Sequence, residues 1–136
     1  MSSEIEEFFG KSIFSYTRKQ AINDGVLIDV SDLAKEAGFT IPVAVTDTVW
    51  FQYIEWTQDD NKQQTYQDTN GRLWDVLSML RLAIRGQQNS QVINYKLAVI
   101  PRDGKSKKAK TVQLKATIGA GDNGEPAITI MLPSED

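Results

Sequence analysis

The sequence predicts an α+β fold, and three observations lead there. Helix-period apolar patterns lie before residue 90, strand-period alternation begins only at Gln91, and the last three strand candidates follow one another through short connections. Ile93, Tyr95, Leu97 and Val99 alternate with Val92, Asn94, Lys96 and Ala98; Val112, Leu114, Ala116 and Ile118 alternate with Thr111, Gln113, Lys115 and Thr117. The run 127–132 supplies a third strand, stopped by Pro133. Parallel pairing of such neighbours would need crossovers of about a dozen residues, so the three strands are expected to form an antiparallel meander on which N-terminal and central helices pack.

In chain order, Thr17 can cap a short helix through Asn23, and Gly25 suits a left-handed stop. Residues 26–30 read as extended, and Ser31 with Asp32 starts a second short helix over 33–37, stopped at Gly38. Residues 39–45 are apolar and β-branched, but Pro42 has no N–H, which predicts an edge or an irregular connection rather than a central strand. Thr46 caps a helix over 47–57, with Val49, Trp50, Tyr53 and Ile54 on one face. The polar stretch 58–68 reads as a loop, and its Asp59-Asp60-Asn61 cluster lacks the glycine and distal glutamate of a calcium loop. Asn70 then caps the clearest helix, 71–85, with Leu73, Val76, Leu77, Leu80 and Ile84 inward and Gly86 at its end. Arg72, Asp75, Ser78, Arg81 and Arg85 fall largely on its outer side, where Trp74 neighbours Ser78, Arg81 and Arg85 at i, i+4, i+7 and i+11.

With 136 residues, 40% of them hydrophobic and 24% charged, the chain is expected to be a single domain over 1–136 with one core, preceded by a flexible acidic segment over 1–11 that holds Glu4, Glu6 and Glu7. No apolar run reaches membrane-spanning length and no basic signal-peptide start precedes the core, so a cytoplasmic location is expected. Histidine and cysteine are both absent. The usual bases, thiol nucleophiles and transition-metal ligands are therefore missing, and no metal or cofactor is expected.

Two strings imitate nucleotide motifs. Residues 119–124 satisfy G-x-G-x-x-G, but Pro126 and a β-branched run follow where the motif needs a helix aimed at a pyrophosphate. Gly104-Lys105-Ser106 resembles the end of a P-loop, yet the glycine required five positions earlier is Val99. Catalysis without histidine would need carboxylates, lysine or tyrosine with shifted pKa values, the acids converging in a cleft. Asp24, Asp29, Asp47, Asp75, Asp122 and Glu125 are available, but Asp24, Asp47 and Asp122 also suit turns or helix starts, and a structural reading is preferred for each. Ser106 between lysines sits in an exposed loop, a poor place to preorganise a nucleophile. No catalytic residues are assigned, and the protein is not expected to be an enzyme.

Net charge is −3, but residues 102–110 concentrate Arg102, Lys105, Lys107, Lys108 and Lys110 against Asp103 alone. This basic loop is the sequence feature that favours nucleic acid, since lysines that neutralise phosphates release counterions. It lacks the aromatic residues on which bases stack. A third possibility is a small anion held by turn amides at 119–124.

Three strings, IFSYTRKQAINDGVLIDV at 13–30, GRLWDVL at 71–77 and GDNGEPAITIMLP at 121–133, resemble a family of small uncharacterised proteins carried by plasmids, phages and other mobile elements. Many relatives are expected to carry Cys-Gly-Pro-Gly where this chain has Ile118-Gly119-Ala120-Gly121, so no shared thiol chemistry is expected here. The resemblance implies an accessory protein that binds a host protein complex, such as a defence system, and modulates it without catalysis. Tyr16, Arg18, Asp24, Trp74, Arg81, Arg85, Asp122 and Glu125 are the candidate contacts.

Overall fold

The computed structural model describes residues 16–136, so the acidic segment expected over 1–11 lies outside the described residues. In order the elements are α1 (Arg18–Asn23), β1 (Leu27–Asp29), α2 (Ser31–Glu36), β2 (Val43–Thr46), α3 (Asp47–Val49) with a π-helical continuation (Trp50–Ile54), α4 (Gln58–Gln63), α5 (Thr69–Gly86), β3 (Val92–Val99), β4 (Lys110–Ala120) and β5 (Pro126–Met131). One mixed sheet has the order β1-β2-β5-β4-β3. Strands β3, β4 and β5 form the antiparallel meander expected from their alternation. The α+β class holds, and the sheet is two strands wider than the sequence suggested.

The extra width corrects the reading of residues 39–45. β2 lies inside the sheet, antiparallel to β1 and parallel to β5, with Val43, Ala44 and Val45 completely buried. Pro42 does not forbid this because it stands just before the strand. Its carbonyl accepts from the Ile128 amide at 2.9 Å, and its missing N–H falls outside the ladder.

Alternation gives the sheet two unlike faces. Val43, Val45, Ile128, Ile130, Ala116, Ile93, Leu114 and Tyr95 meet Leu73, Val76, Leu77 and Leu80 of α5 in the core. Each such fully buried aliphatic side chain contributes about 1.5–3 kcal/mol of transfer free energy. The Tyr95 hydroxyl donates to the Val76 carbonyl at 3.2 Å, and burial holds its pKa above the ordinary tyrosine value. Thr117 and Thr129 face the other way, toward α1.

Local chemistry explains the helix ends. In α1 the Thr17 hydroxyl accepts from the Gln20 amide and the Gln20 side chain accepts from the Thr17 amide, closing a capping box, while Gly25 takes φ 78°. Ser31 does not cap α2. Its hydroxyl donates to Asp29 and accepts from the Val43 amide, tying β1 to β2. Thr46 caps α3 as expected, but the helix widens into a π turn and stops at Ile54, short of residue 57. The stretch read as a loop contains α4, started by a second capping box between Thr57 and Asp60. The cap of α5 is Asp68, which accepts from the Gly71 amide, instead of Asn70. Gly86 belongs to its last turn.

Two arginines close the carboxyl end of α3. Arg72, placed on the outer face of α5 by the sequence, is only 5% exposed. Its Nε donates to the Ile54 carbonyl at 3.1 Å, and its Nη1 donates to Gln67 at 2.7 Å and to the Ile100 carbonyl at 3.0 Å. The guanidinium carbon lies 4.5 Å from the Trp56 ring centroid. Arg102 donates to the Phe51 carbonyl at 3.2 Å and pairs with Glu55 at 3.0 Å and Asp60 at 2.8 Å. The last turn of a helix leaves carbonyls without intrahelical partners and carries negative partial charge, so both cations are well placed there.

Candidate functional site

The outer face of α5 is built from what its inner stripe leaves over. Leu73, Val76, Leu77 and Leu80 fill the core, but this 18-residue helix also carries Trp74, Met79 and Leu82, which are 42%, 37% and 57% exposed. With Ser78, Arg81, Arg85 and Ala37 they line a concavity of about 340 Å³ between α5 and the end of α2. Gly38, at φ 102°, allows the approach: a Cβ there would lie 2.6 Å from the Arg81 guanidinium carbon. Arg81 thus rests against the carboxyl end of α2, a favourable place for a cation. Among the described residues neither Arg81 nor Arg85 forms an ion pair.

The candidate contacts fall into two groups. Trp74, Arg81 and Arg85 share the α5 concavity, as their spacing implied. Tyr16, Arg18, Asp24, Asp122 and Glu125 gather around α1 and the β4–β5 turn, where each makes an internal bond. The Tyr16 hydroxyl donates to Asp24 at 2.6 Å, which raises the tyrosine pKa. Asp122 accepts from the Arg18 and Lys19 amides at 2.7 and 3.0 Å and so caps α1 from the far end of the chain. The Arg18 side chain, half-buried, donates to Thr129 and to the Ile128 carbonyl, both at 2.6 Å. Glu125 accepts from the Asn123 amide at 3.3 Å. Of these residues Tyr16, Arg18 and Asp122 border a second concavity of about 520 Å³ over the sheet face opposite α5, with Thr46, Thr117, Thr129 and Met131 among its lining.

The basic loop divides as well. Lys105, Lys107, Lys108 and Lys110 are exposed, whereas Arg102 is held by Asp60 and Glu55. The buried Gln64 anchors the loop by donating to the Pro101 and Ser106 carbonyls at 2.7 Å and accepting from the Gly104 amide at 3.0 Å. Asp103 accepts from the Lys105 and Ser106 amides and the Ser106 hydroxyl, which holds its carboxyl well below the usual range. The loop is thus clamped at its root while its lysines stay exposed.

Residues 119–124 are a β connection: β4 runs through Ala120 and β5 begins at Pro126. The Gly121 amide donates to the Glu125 carbonyl and the Gly124 amide to the Gly121 carbonyl. Together with Asn123 these amides already have partners, which leaves little of the nest an anion would need. Among the described residues no three acidic side chains are placed to hold a metal ion, and no helix is long and apolar enough to cross a membrane.

Sequence reasoning missed Met79 and Leu82. Their signal was present as apolar residues on α5 outside the 73-76-77-80-84 series.

The chain belongs to a family of unknown function, DUF6573, whose model matches residues 5–136. No curated protein and no solved structure matches it.

Proposed function

We propose that this DUF6573 protein is a non-enzymatic interaction protein, an accessory of a mobile element that binds and modulates a host protein complex through the outer face of α5. One observation carries the reading: Trp74, Met79 and Leu82 are exposed beside Arg81 and Arg85 on a helix whose inner face is locked into the core. Tryptophan and arginine dominate the energetics of protein interfaces, because a large flat side chain excludes water while the guanidinium fork supplies directed bonds. A rigid helix presents them without an ordering penalty. The two arginines favour an acidic partner surface with an apolar centre. The mobile-element setting rests on the resemblance of the 13–30, 71–77 and 121–133 strings.

The test compares capture from a host lysate by the wild-type chain and by Trp74→Ala and Arg81→Glu/Arg85→Glu variants, followed by titration of the purified partner. Wild-type binding that weakens about tenfold or more in Trp74→Ala, with an unchanged circular dichroism spectrum, supports the proposal. Failure to retain any partner, or equal affinity of all three proteins, rejects it.

A further inference from the structure

Among the described residues β3 is an edge strand, paired with β4 on one side and with no strand on the other. In an antiparallel pair successive residues alternate between bonding the partner and facing away. The Ile118 amide donates to the Gln91 carbonyl at 2.8 Å, so odd-numbered residues bond β4 while Val92, Asn94, Lys96 and Ala98 turn their backbone groups to the open edge.

The first half of that edge is closed by side chains from the α5–β3 connection. The Ser90 hydroxyl donates to the Val92 carbonyl at 2.6 Å and accepts from the Val92 amide at 3.2 Å. The Gln87 carboxamide donates to the Asn94 carbonyl at 2.8 Å and accepts from the Asn94 amide at 3.3 Å, as a peptide group of a neighbouring strand would. Among the described residues the amides and carbonyls of Lys96 and Ala98 have no such partner on the open side. Ala98 instead borders a recess of about 190 Å³ with Tyr53, Arg72, Asp75, Ile100 and Ala109. An edge left open in this way is a template for another extended chain.

We propose that the open edge at Lys96 and Ala98 is a strand-addition site for an acidic, extended segment of a partner protein. Two free residues offer four backbone hydrogen-bonding groups, enough to pair about three residues of such a segment. Its charge follows from the surroundings: Lys96 is exposed on the strand itself, Lys108 and Lys110 flank Ala109 at the recess beside Ala98, and the one carboxylate lining that recess, Asp75, shares it with Arg72. A second copy of this chain pairing through β3 is disfavoured, because β3 carries Lys96 and no carboxylate to meet it. Gln87 and Ser90 set the stop that keeps the added segment short.

The experiment is amide hydrogen exchange, followed by NMR, on the whole chain with a capped Glu-Val-Glu-Val-Glu peptide. The controls are the same peptide N-methylated on its pairing amides, a Lys-Val-Lys-Val-Lys peptide and oligothymidylate. The acidic peptide is expected to slow exchange at Lys96 and Ala98, and the N-methylated and basic peptides are not. Lys96→Glu should weaken binding about fivefold, and Gln87→Ala should extend protection to the Asn94 amide. Trp74→Ala should change none of this, which separates the edge from the α5 face. Equal binding of the N-methylated peptide, binding without protection at Lys96 and Ala98, or no binding at millimolar peptide overturns the proposal. Oligothymidylate binding in the peptide's place, lost when the four loop lysines are neutralised, overturns it in favour of nucleic acid.

Discussion

Arg72 and the pair Arg81 and Arg85 stand on one helix and differ in where their donors go. Arg72 reaches inward to the backbone carbonyls of Ile54, Ile100 and Gln52 and to the Gln67 side chain, stacks on Trp56 and is almost wholly buried. Burial pulls its pKa down to about 10, so it stays charged at neutral pH. Its charge is balanced chiefly by helix-end carbonyls, since among the described residues no carboxylate pairs with it. Arg81 and Arg85 lie on the surface beside an exposed tryptophan. The same residue type is thus a structural clamp at one end of α5 and a candidate contact at the other. What decides is whether neighbouring elements supply acceptors.

The comparison can be broken most forcefully at Arg72. Arg72→Ala should destabilise the fold by about 3–5 kcal/mol, because the Ile54 and Ile100 carbonyls lose their donor and Trp56 loses its stacked partner. Chemical denaturation measures this, and a loss below about 1 kcal/mol would show that the clamp is not structural. Gln64→Ala should follow at about 2 kcal/mol, with faster hydrogen exchange at the Gly104 amide, since three bonds to the loop are removed from a buried position.

A third experiment sharpens the electrostatic side. Desolvation opposes the charge of Asp60, but hydrogen bonds from Thr57 and Arg102 outweigh it and hold the carboxyl below its ordinary value. The folded state therefore binds fewer protons than the unfolded chain as the pH approaches that value. Stability from this group is complete above the ordinary carboxylate pKa and is lost as pH falls through the depressed one. Wild-type protein should lose more stability than Asp60→Asn on acidification from about pH 6 to about pH 2, as measured by denaturant unfolding at each pH. Parallel unfolding curves for the two proteins across that range would contradict the assignment. At the weak end, Arg81→Glu, which sets a carboxylate against the carboxyl end of α2, should cost about 1 kcal/mol, and Arg85→Glu and Trp74→Ala should each shift stability by no more than about 0.5 kcal/mol, as measured by thermal unfolding. A larger loss would make the outer face of α5 structural after all.

The parts of this architecture that were legible in the sequence are those set by near neighbours. The alternation of β3 and β4, the capping of α1 and the inner stripe of α5 all depend on spacings of a few residues. The central place of β2 was not legible, because its partner is β5 and nothing near Pro42 announces that pairing. The burial of Arg72 was hidden for the same reason: Trp56, Gln67 and Ile100 come from separate stretches of chain. α4 was overlooked although Thr57 and Asp60 have capping-box spacing, since its polar composition masked the signal. Of the candidate surfaces, the grouping of Trp74, Arg81 and Arg85 followed from helical spacing. The plugging of the β3 edge by Gln87 and Ser90 required the register itself.

The parallel pairing of β2 with β5 also bears on how the chain is made. Synthesis proceeds from the amino terminus, so β1 and β2 emerge long before residues 126–131 exist to cover them. Until then the Val43 to Val45 strand has one unpaired edge and no sheet to complete its apolar face. Contacts this distant in sequence slow folding and prolong exposure of sticky intermediates. During synthesis the β1–β2 stretch, residues 27–46, therefore waits longest for its partner, although in the finished molecule it contains some of the most deeply buried residues.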